Sequence, residues 1–489
     1  MSVLPRAGDE EERLGPASTL IKGGRLVTAS EDFVADLLIR GETIAAIGDS
    51  LDGPANRVID ATGRYVMPGC VDPHTHMDSP QAGTVSCDDF TSGTLSAAAG
   101  GTTTIVDFCF QQPGQTLGQS LATWHEKVAR ARPVVDVGFH IAVTDLSYAG
   151  ALDELARLPA EQGVSSYKLF MAYKGSLMVD DGTLFEAMRV AARSGALVLV
   201  HAENGDAIDV LVSSALAEGH TEPCWHELTR PALTEAEATS RAIHLARIAG
   251  APLYVVHVSC REALEPLVRA REAGWQVWGE TCTQYLFVDR SALHTPGFEG
   301  AKYVFTPPPR GEEDRERLWR ALDGGSLSVL SSDHCPFRFA DQKALGRDDF
   351  SRIPNGAPGV ENRLPMLHHF GVREGRISLS RMVELLSTEP ARLFGLAPRK
   401  GTLAVGADAD LVIFDPERPL TMSARTHHSN VDYSLFEGTR VLGGPETVLV
   451  RGAPVVDEGE LVAVPGQGRF VKRARFGEPL PVRGAASPV

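Results

Sequence analysis

A chain of 489 residues is longer than one compact core of ordinary size supports, so one large domain and at least one smaller one are expected. A hydrophobic fraction of 43% and a charged fraction of 22% are those of a soluble globular protein, and a formal net charge of −16 argues against nucleic acid or an anionic membrane as a partner. No uninterrupted apolar run approaches the roughly 20 residues of a membrane span, and the seven scattered cysteines include no Cys-x-x-Cys pair, so a reducing cytoplasm is expected rather than a disulfide framework.

Residues 1–18, with Asp9-Glu10-Glu11-Glu12, lack the basic and apolar parts of a signal peptide and read as a disordered, solvated leader. From 19 to 66 short strands such as Arg25-Leu26-Val27, Ala35 to Ile39 and Ile44 to Ile47 are set off by turns at Gly23-Gly24, Gly41-Glu42 and Gly63. Between 67 and 398 strands alternate with helical patterns, the signature of βα units around a parallel sheet. Eight strand candidates are centred near Val71, Ile105, Val137, Lys168, Val200, Val256, Val277 and Val329. Helical patterns include Asp88 to Ala99, Gln119 to Ala131, Thr183 to Ser194, Thr234 to Ala249, Arg261 to Ala273 and Glu312 to Leu322. The chain is therefore expected to be α/β, a (β/α)8 barrel of the TIM type with long loops. Short strands return over 399–465, so both chain ends are expected to meet in one smaller β-sandwich. Residues 466–489, with Lys472-Arg473-Ala474-Arg475, are basic and read as a loose tail or as an arm on a neighbouring subunit.

The chemistry starts at Pro73-His74-Thr75-His76. Histidines at i and i+2 of an extended strand share a face and can grip one metal ion, although such pairs also occur where each ring only packs or hydrogen-bonds. Further candidates then recur at the ends of apolar runs: Lys168, His201, His257 and Asp333. In a (β/α)8 barrel these positions are the C-terminal strand ends, where such barrels carry their chemistry.

Four histidines and a carboxylate exceed what a single catalytic zinc needs, so two metals fit better. A bridging anion is then missing, and Lys168 is the remaining strand-end candidate. A buried ammonium beside two cations is costly, whereas its carbamate would be a bridging anion. A lysine with its head in solvent is the plain alternative. Water on such metals ionises near pH ~7, and a bridging hydroxide could attack a carbonyl while Asp333 moves the proton to a leaving nitrogen. His334, His125, His140, His244, His368 and His369 read as ordinary packed histidines, and Cys70, Cys109, Cys260, Cys282 and Cys335 as small buried hydrophobes.

These residues resemble the cyclic amidohydrolases, and within them the dihydropyrimidinase and D-hydantoinase family, from about residue 19 to 476. The likeness is carried by Pro68-Gly69-Cys70-Val71-Asp72-Pro73-His74-Thr75-His76, Ser166 to Tyr173, His201-Ala202-Glu203-Asn204, Gly279-Glu280-Thr281-Cys282, Ser332 to Phe337 and Ile353-Pro354-Asn355-Gly356. The resemblance implies a binuclear centre, usually zinc, on His74, His76, His201, His257 and Asp333 with Lys168 carboxylated. It implies that Tyr173 donates to the oxyanion and that main-chain groups at Thr306 and Asn355 grip an imide edge. The first of these two is usually serine, and threonine stands here. A small cyclic amide as substrate, ring opening to N-carbamoyl amino acids, and a homotetramer or homodimer follow from the same resemblance.

Two related enzymes share the barrel and the ligands. Dihydroorotase usually shows an arginine near the first metal motif, and Met77-Asp78-Ser79 offers none; allantoinase is not set apart by any residue. A non-catalytic scaffold relative would lack several ligands, and this chain keeps all six.

Overall fold

The computed structural model describes residues 17–81 and 83–482. The acidic leader lies outside the described residues except for its last two positions, of which Ser18 already opens a strand. The first segment forms β1 (Ser18–Val27), β2 (Asp32–Arg40), β3 (Thr43–Gly48), β4 (Arg57–Asp60) and β5 (Tyr65–Pro68). One residue, Gly69, separates β5 from β6 (Cys70–Thr75), and a Cβ there would overlap the Thr103 side chain. The chain thus passes from small sheet to barrel where only glycine fits.

After β6 comes a short hairpin of β7 (Pro80–Gln81) and β8 (Thr84–Val85). The remaining barrel strands are β9 (Thr102–Phe110), β10 (Asp136–Ala142), β11 (Ser166–Phe170), β12 (Leu197–His201), β13 (Leu253–Val255), β14 (Val277–Cys282) and β15 (Val329–Ser331). They pair in parallel in the order β6-β9-β10-β11-β12-β13-β14-β15. Every residue of β9 to β12 is buried, as parallel strands covered on both faces require.

Helices cover the outside. In Leu117–Ala131 the buried Leu117, Leu121, Trp124 and Val128 recur at helical spacing, and Thr116 with Gln119 forms a capping box at its start. Asp181–Ser194 begins at the Asp180 side chain and ends at Gly195 in the left-handed region.

The ring closes between β15 and β6 without a regular ladder. Thr75 bridges His334, the His76 amide donates to the His334 carbonyl at 2.9 Å, and Ser332 Oγ donates to the His74 carbonyl at 3.2 Å. Arg363, fully buried, stitches the same seam. It donates to the carbonyls of Val71 (3.3 Å) and Leu330 (3.0 Å) and to Thr102 Oγ1 (2.9 Å), and pairs with Asp72 at 3.1 Å. Removing one partner of a buried pair leaves the other charge uncompensated. Arg363→Met is therefore expected to cost about 3–5 kcal/mol, read as a lower Tm; an unchanged Tm would mean that the seam closes without it.

The last segment adds β16 (Leu411–Thr421), β17 (Arg440–Val450), β18 (Ala453–Asp457) and β19 (Glu460–Leu461). The smaller domain from both chain ends is one continuous mixed sheet of nine strands, ordered β19-β18-β17-β16-β5-β1-β2-β3 with β4 on β1. Its own core includes Ile21, Leu26, Leu37, Leu411, Ile413 and Leu449. Buried charges tie it to the barrel: Lys400 bonds Asp136 at 2.8 Å and also Asp410, and Arg451 bonds Asp136. The carboxylates of Asp136, Asp408 and Asp410 lie close enough to hold a cation, but Lys400, Arg451 and Arg399 already neutralise the cluster.

The basic segment near the C-terminus packs on the barrel of its own chain. Val137 donates to the Arg469 carbonyl at 2.9 Å and Val471 donates back to Val137 at 2.8 Å, so the segment runs alongside the start of β10. Arg473 is buried between the Phe394 and Phe139 carbonyls and Ser166 Oγ. Carbonyl acceptors inside its own barrel make burial of this arginine tolerable.

Candidate active site

The six candidate ligands meet at the C-terminal mouth of the barrel. His74 lies in β6 and His76 one residue past it; Lys168 lies within β11, His201 ends β12, His257 follows β13, and Asp333 follows β15. All six are buried. His257, Asp333 and Tyr173 have φ of 40°, 50° and 67°. Left-handed backbone at a non-glycine residue is unfavourable and concentrates where function requires it. Here it turns three site residues off the strand direction and over the mouth.

Asp333 Oδ1 lies 3.1 Å from both His74 Nε2 and His76 Nε2. Opposite, His201 Nδ1 and His257 Nε2 face each other at 2.9 Å. Buried carboxylates orient two of these rings. His74 Nδ1 bonds Glu280, which also accepts from Tyr254 at 2.9 Å and from the His257 amide at 3.3 Å. His201 Nε2 bonds Glu203 at 2.8 Å. Each carboxylate takes the N–H of its imidazole, so the other ring nitrogen is the one aimed into the site.

Burial pulls the His201 and His257 imidazoles down, His257 well below its ordinary value, and lowers His76 to about 4. Burial also works against protonated His74, but Asp333 and Glu280 outweigh it and raise it to about 9. Asp333 is held well below the usual carboxylate range: burial pushes it up, and His74 and His76 more than reverse that. Burial lowers Lys168 to about 7, with Nζ 5.1 Å from the Phe108 and Phe170 ring centres.

A divalent metal fits this donor set. Facing imidazole nitrogens at His201 and His257 are a poor arrangement unless one carries a proton or both share a cation. His76 Nδ1 and His257 Nδ1 are buried with no hydrogen-bond partner among the described residues, so each is left to bind an ion, or to carry the ring proton while Nε2 binds one. His74, His76 and Asp333 also form a cluster tight enough for one ion.

One cavity of about 300 Å3 is lined by all six residues together with Tyr173, Thr306 and Asn355. The main-chain groups of Thr306 and Asn355 make no hydrogen bond among the described residues. The Thr306 hydroxyl sits 3.3 Å from His226 Nε2, which is itself 3.0 Å from the Phe305 carbonyl. Burial raises the Tyr173 hydroxyl, so it stays protonated. The rest of the wall mixes apolar Phe110, Phe170, Leu177 and Ile353 with polar Gln81 and Ser351. The loop after β6 supplies Pro80 and Gln81 to the wall, and the loop after β11 supplies Tyr173, Ser176 and Leu177.

His334 points away from the mouth, bonding Asp88 at 2.9 Å and accepting from the Gly359 amide at 3.1 Å. His140 is satisfied by Ser166 and the Pro73 carbonyl. The orienting carboxylates Glu280 and Glu203 had no role assigned from sequence. A charged residue inside the apolar run of β14 was the available signal for Glu280.

The amidohydrolase family model matches residues 65–455. The D-hydantoinase of Geobacillus stearothermophilus is 53% identical over 458 residues, covering 94% of this chain and 97% of the relative. The crystal structure of dihydropyrimidinase from Brevibacillus agri matches with a TM-score of 0.92 at 52% identity, covering 94% of this chain and 100% of that one. The L-hydantoinase (dihydropyrimidinase) of Arthrobacter aurescens matches at 0.84 and 35%, covering 93% and 99%. A match of this extent, on a barrel carrying this cluster of candidate ligands, shows that the chain belongs to the amidohydrolase family, within its dihydropyrimidinase and D-hydantoinase group.

Proposed function

We propose that this protein hydrolyses a cyclic amide bond, opening hydantoin or dihydropyrimidine rings to N-carbamoyl amino acids. Two divalent metal ions, zinc in this reading, would be held by His74, His76, His201, His257, Asp333 and a carbamylated Lys168. The observation that carries the reading is one cavity lined by all six residues and by Tyr173, Thr306 and Asn355. Relatives named D-hydantoinase and dihydropyrimidinase support the substrate class. Bound there, the ions would supply water ionised near neutral pH and polarise a carbonyl oxygen.

The chain's own residues do the rest. Lys168, lowered by burial to about 7, offers a free amine at neutral pH. Its addition to carbon dioxide forms an N–C bond, releases one proton and leaves an anion where a cation would be costly. Asp333 takes the proton of the attacking water and gives it to the ring nitrogen as the C–N bond breaks. Tyr173, kept protonated by burial, donates to the carbonyl oxygen as it gains charge. Main-chain groups of Thr306 and Asn355 hold the imide edge, so the carbonyl arrives in one orientation.

A cytoplasmic location and a homotetramer or homodimer belong to the same reading. Among the described residues no helix is long and apolar enough to cross a membrane.

The test is ring opening of hydantoin and dihydrouracil, side by side, by zinc-loaded protein. Chelation should abolish turnover and added zinc should restore it. Faster opening of the six-membered ring would place the enzyme in pyrimidine breakdown, and of the five-membered ring among hydantoinases. Opening of allantoin alone would move it to the ureide hydrolases, and no turnover at all would leave a non-catalytic scaffold.

A further inference from the structure

Lys343 is fully buried, yet its hydrogen bonds go to no carboxylate. Its ammonium donates to three main-chain carbonyls, those of Val304 (2.7 Å), Pro354 (2.7 Å) and Gly356 (2.8 Å). An ammonium has three N–H donors, so these acceptors use all of them. The Val304 carbonyl also accepts from the Gly356 amide at 3.1 Å. The acceptors therefore belong to two separate loops. One leads into Thr306 and the other flanks Asn355 on both sides, while the main-chain groups of Thr306 and Asn355 themselves stay out of any hydrogen bond among the described residues.

The turn that carries Lys343 is itself anchored. Lys343 N donates to the Arg338 carbonyl at 2.9 Å, and a Cβ on Gly346 would overlap Ile353, so the turn lies against the second loop. The neighbouring Gln342 donates to Thr84 Oγ1 (2.9 Å) and the Val85 carbonyl (2.7 Å). It thereby holds the β7–β8 hairpin whose Gln81 lines the cavity. Two adjacent side chains thus fix three of the segments around the mouth. Burial lowers Lys343 to about 7, and hydrogen bonds to three carbonyls favour the charged form against that.

We propose that Lys343 is a positioning residue: its ammonium sets the spacing between the Thr306 and Asn355 loops, and so the width of the edge that accepts the substrate imide. This rests on the reading of Thr306 and Asn355 given above. Lys343 touches no reacting atom and acts through the two loops alone.

Lys343→Met keeps the aliphatic stem and removes the three donors. KM for hydantoin and dihydrouracil should rise about tenfold or more while kcat changes less than about threefold, because ring binding is lost and the reacting groups are not moved. The ratio of kcat/KM between the two rings should shift by about fivefold or more, since they differ in the edge to be spanned. Zinc content should stay at the unaltered level, and Lys343→Arg, which keeps a charged donor, should fall between. A role confined to holding the fold would lower Tm but leave the KM and ring ratio of the folded enzyme unchanged, and that result overturns the proposal. Should Lys343→Met not fold, hydrogen exchange on the unaltered enzyme decides. With hydantoin held at equilibrium with its product, the amides of residues 304–306 and 355–356 should open as one unit, with rates within about threefold; rates differing by more than about tenfold would overturn it. If the unaltered enzyme opens neither ring, the functional reading fails first. If it opens both and Lys343→Met keeps the normal KM, only the clamp fails.

Discussion

Lys168→Ala is expected to lower kcat by about 10³-fold or more and to cut the bound metal measured by elemental analysis. The reason lies in the surroundings of the side chain. It sits among four imidazoles and Asp333, between the Phe108 and Phe170 rings, and burial holds its amine at about 7. An ammonium there would oppose any cation the imidazoles bind, whereas the carbamate reverses the sign. Alanine removes the anion without closing the space, so short carboxylic acids such as acetate or propionate should restore part of the activity. The pH sense follows from the same lowered amine. Below about 7 the ammonium prevails and cannot attack carbon dioxide, and above it the free amine can. Metal-free protein in 13C-bicarbonate should therefore gain a carbamate carbon signal more readily at pH 8.5 than at pH 5.5. Full activity of Lys168→Ala without any added acid would sink the carbamate.

The strand pattern was legible because parallel barrel strands are buried on both faces and stand out as apolar runs. All eight expected centres fall in or directly beside a barrel strand. The six candidate ligands stand out for a related reason, since a polar residue ending such a run is conspicuous. What orients them does not. Glu280 reaches His74 across 206 positions of sequence, and no local pattern pairs residues so far apart. Lys343 lies in a loop without periodicity, where a lysine looks like any solvated one; only the folded loops bring three carbonyls to it. The seat of Arg473 was hidden for the same reason: composition shows its charge, and only the folded barrel brings its acceptors to it.

Asp333→Asn separates metal holding from proton transfer. Both imidazole contacts, to His74 and His76, go through Oδ1, each at 3.1 Å. An asparagine keeps an oxygen there, with nearly the same volume, so the ligand position survives. It cannot accept a proton at the other atom. The carboxylate is ionised over the whole working range because His74 and His76 overcome the effect of burial, so the unaltered side chain is always in the form that takes a proton. Loss of a positioned acid or base costs about 10²–10⁴ in rate, and kcat of Asp333→Asn should fall by that amount while bound zinc stays close to the unaltered level. If metal is lost in step with activity, Asp333 serves as a ligand first and the deficit says nothing about protons. If metal and turnover both persist, the proton passes through another group, and Tyr173, in the same cavity, is the next to replace, by phenylalanine.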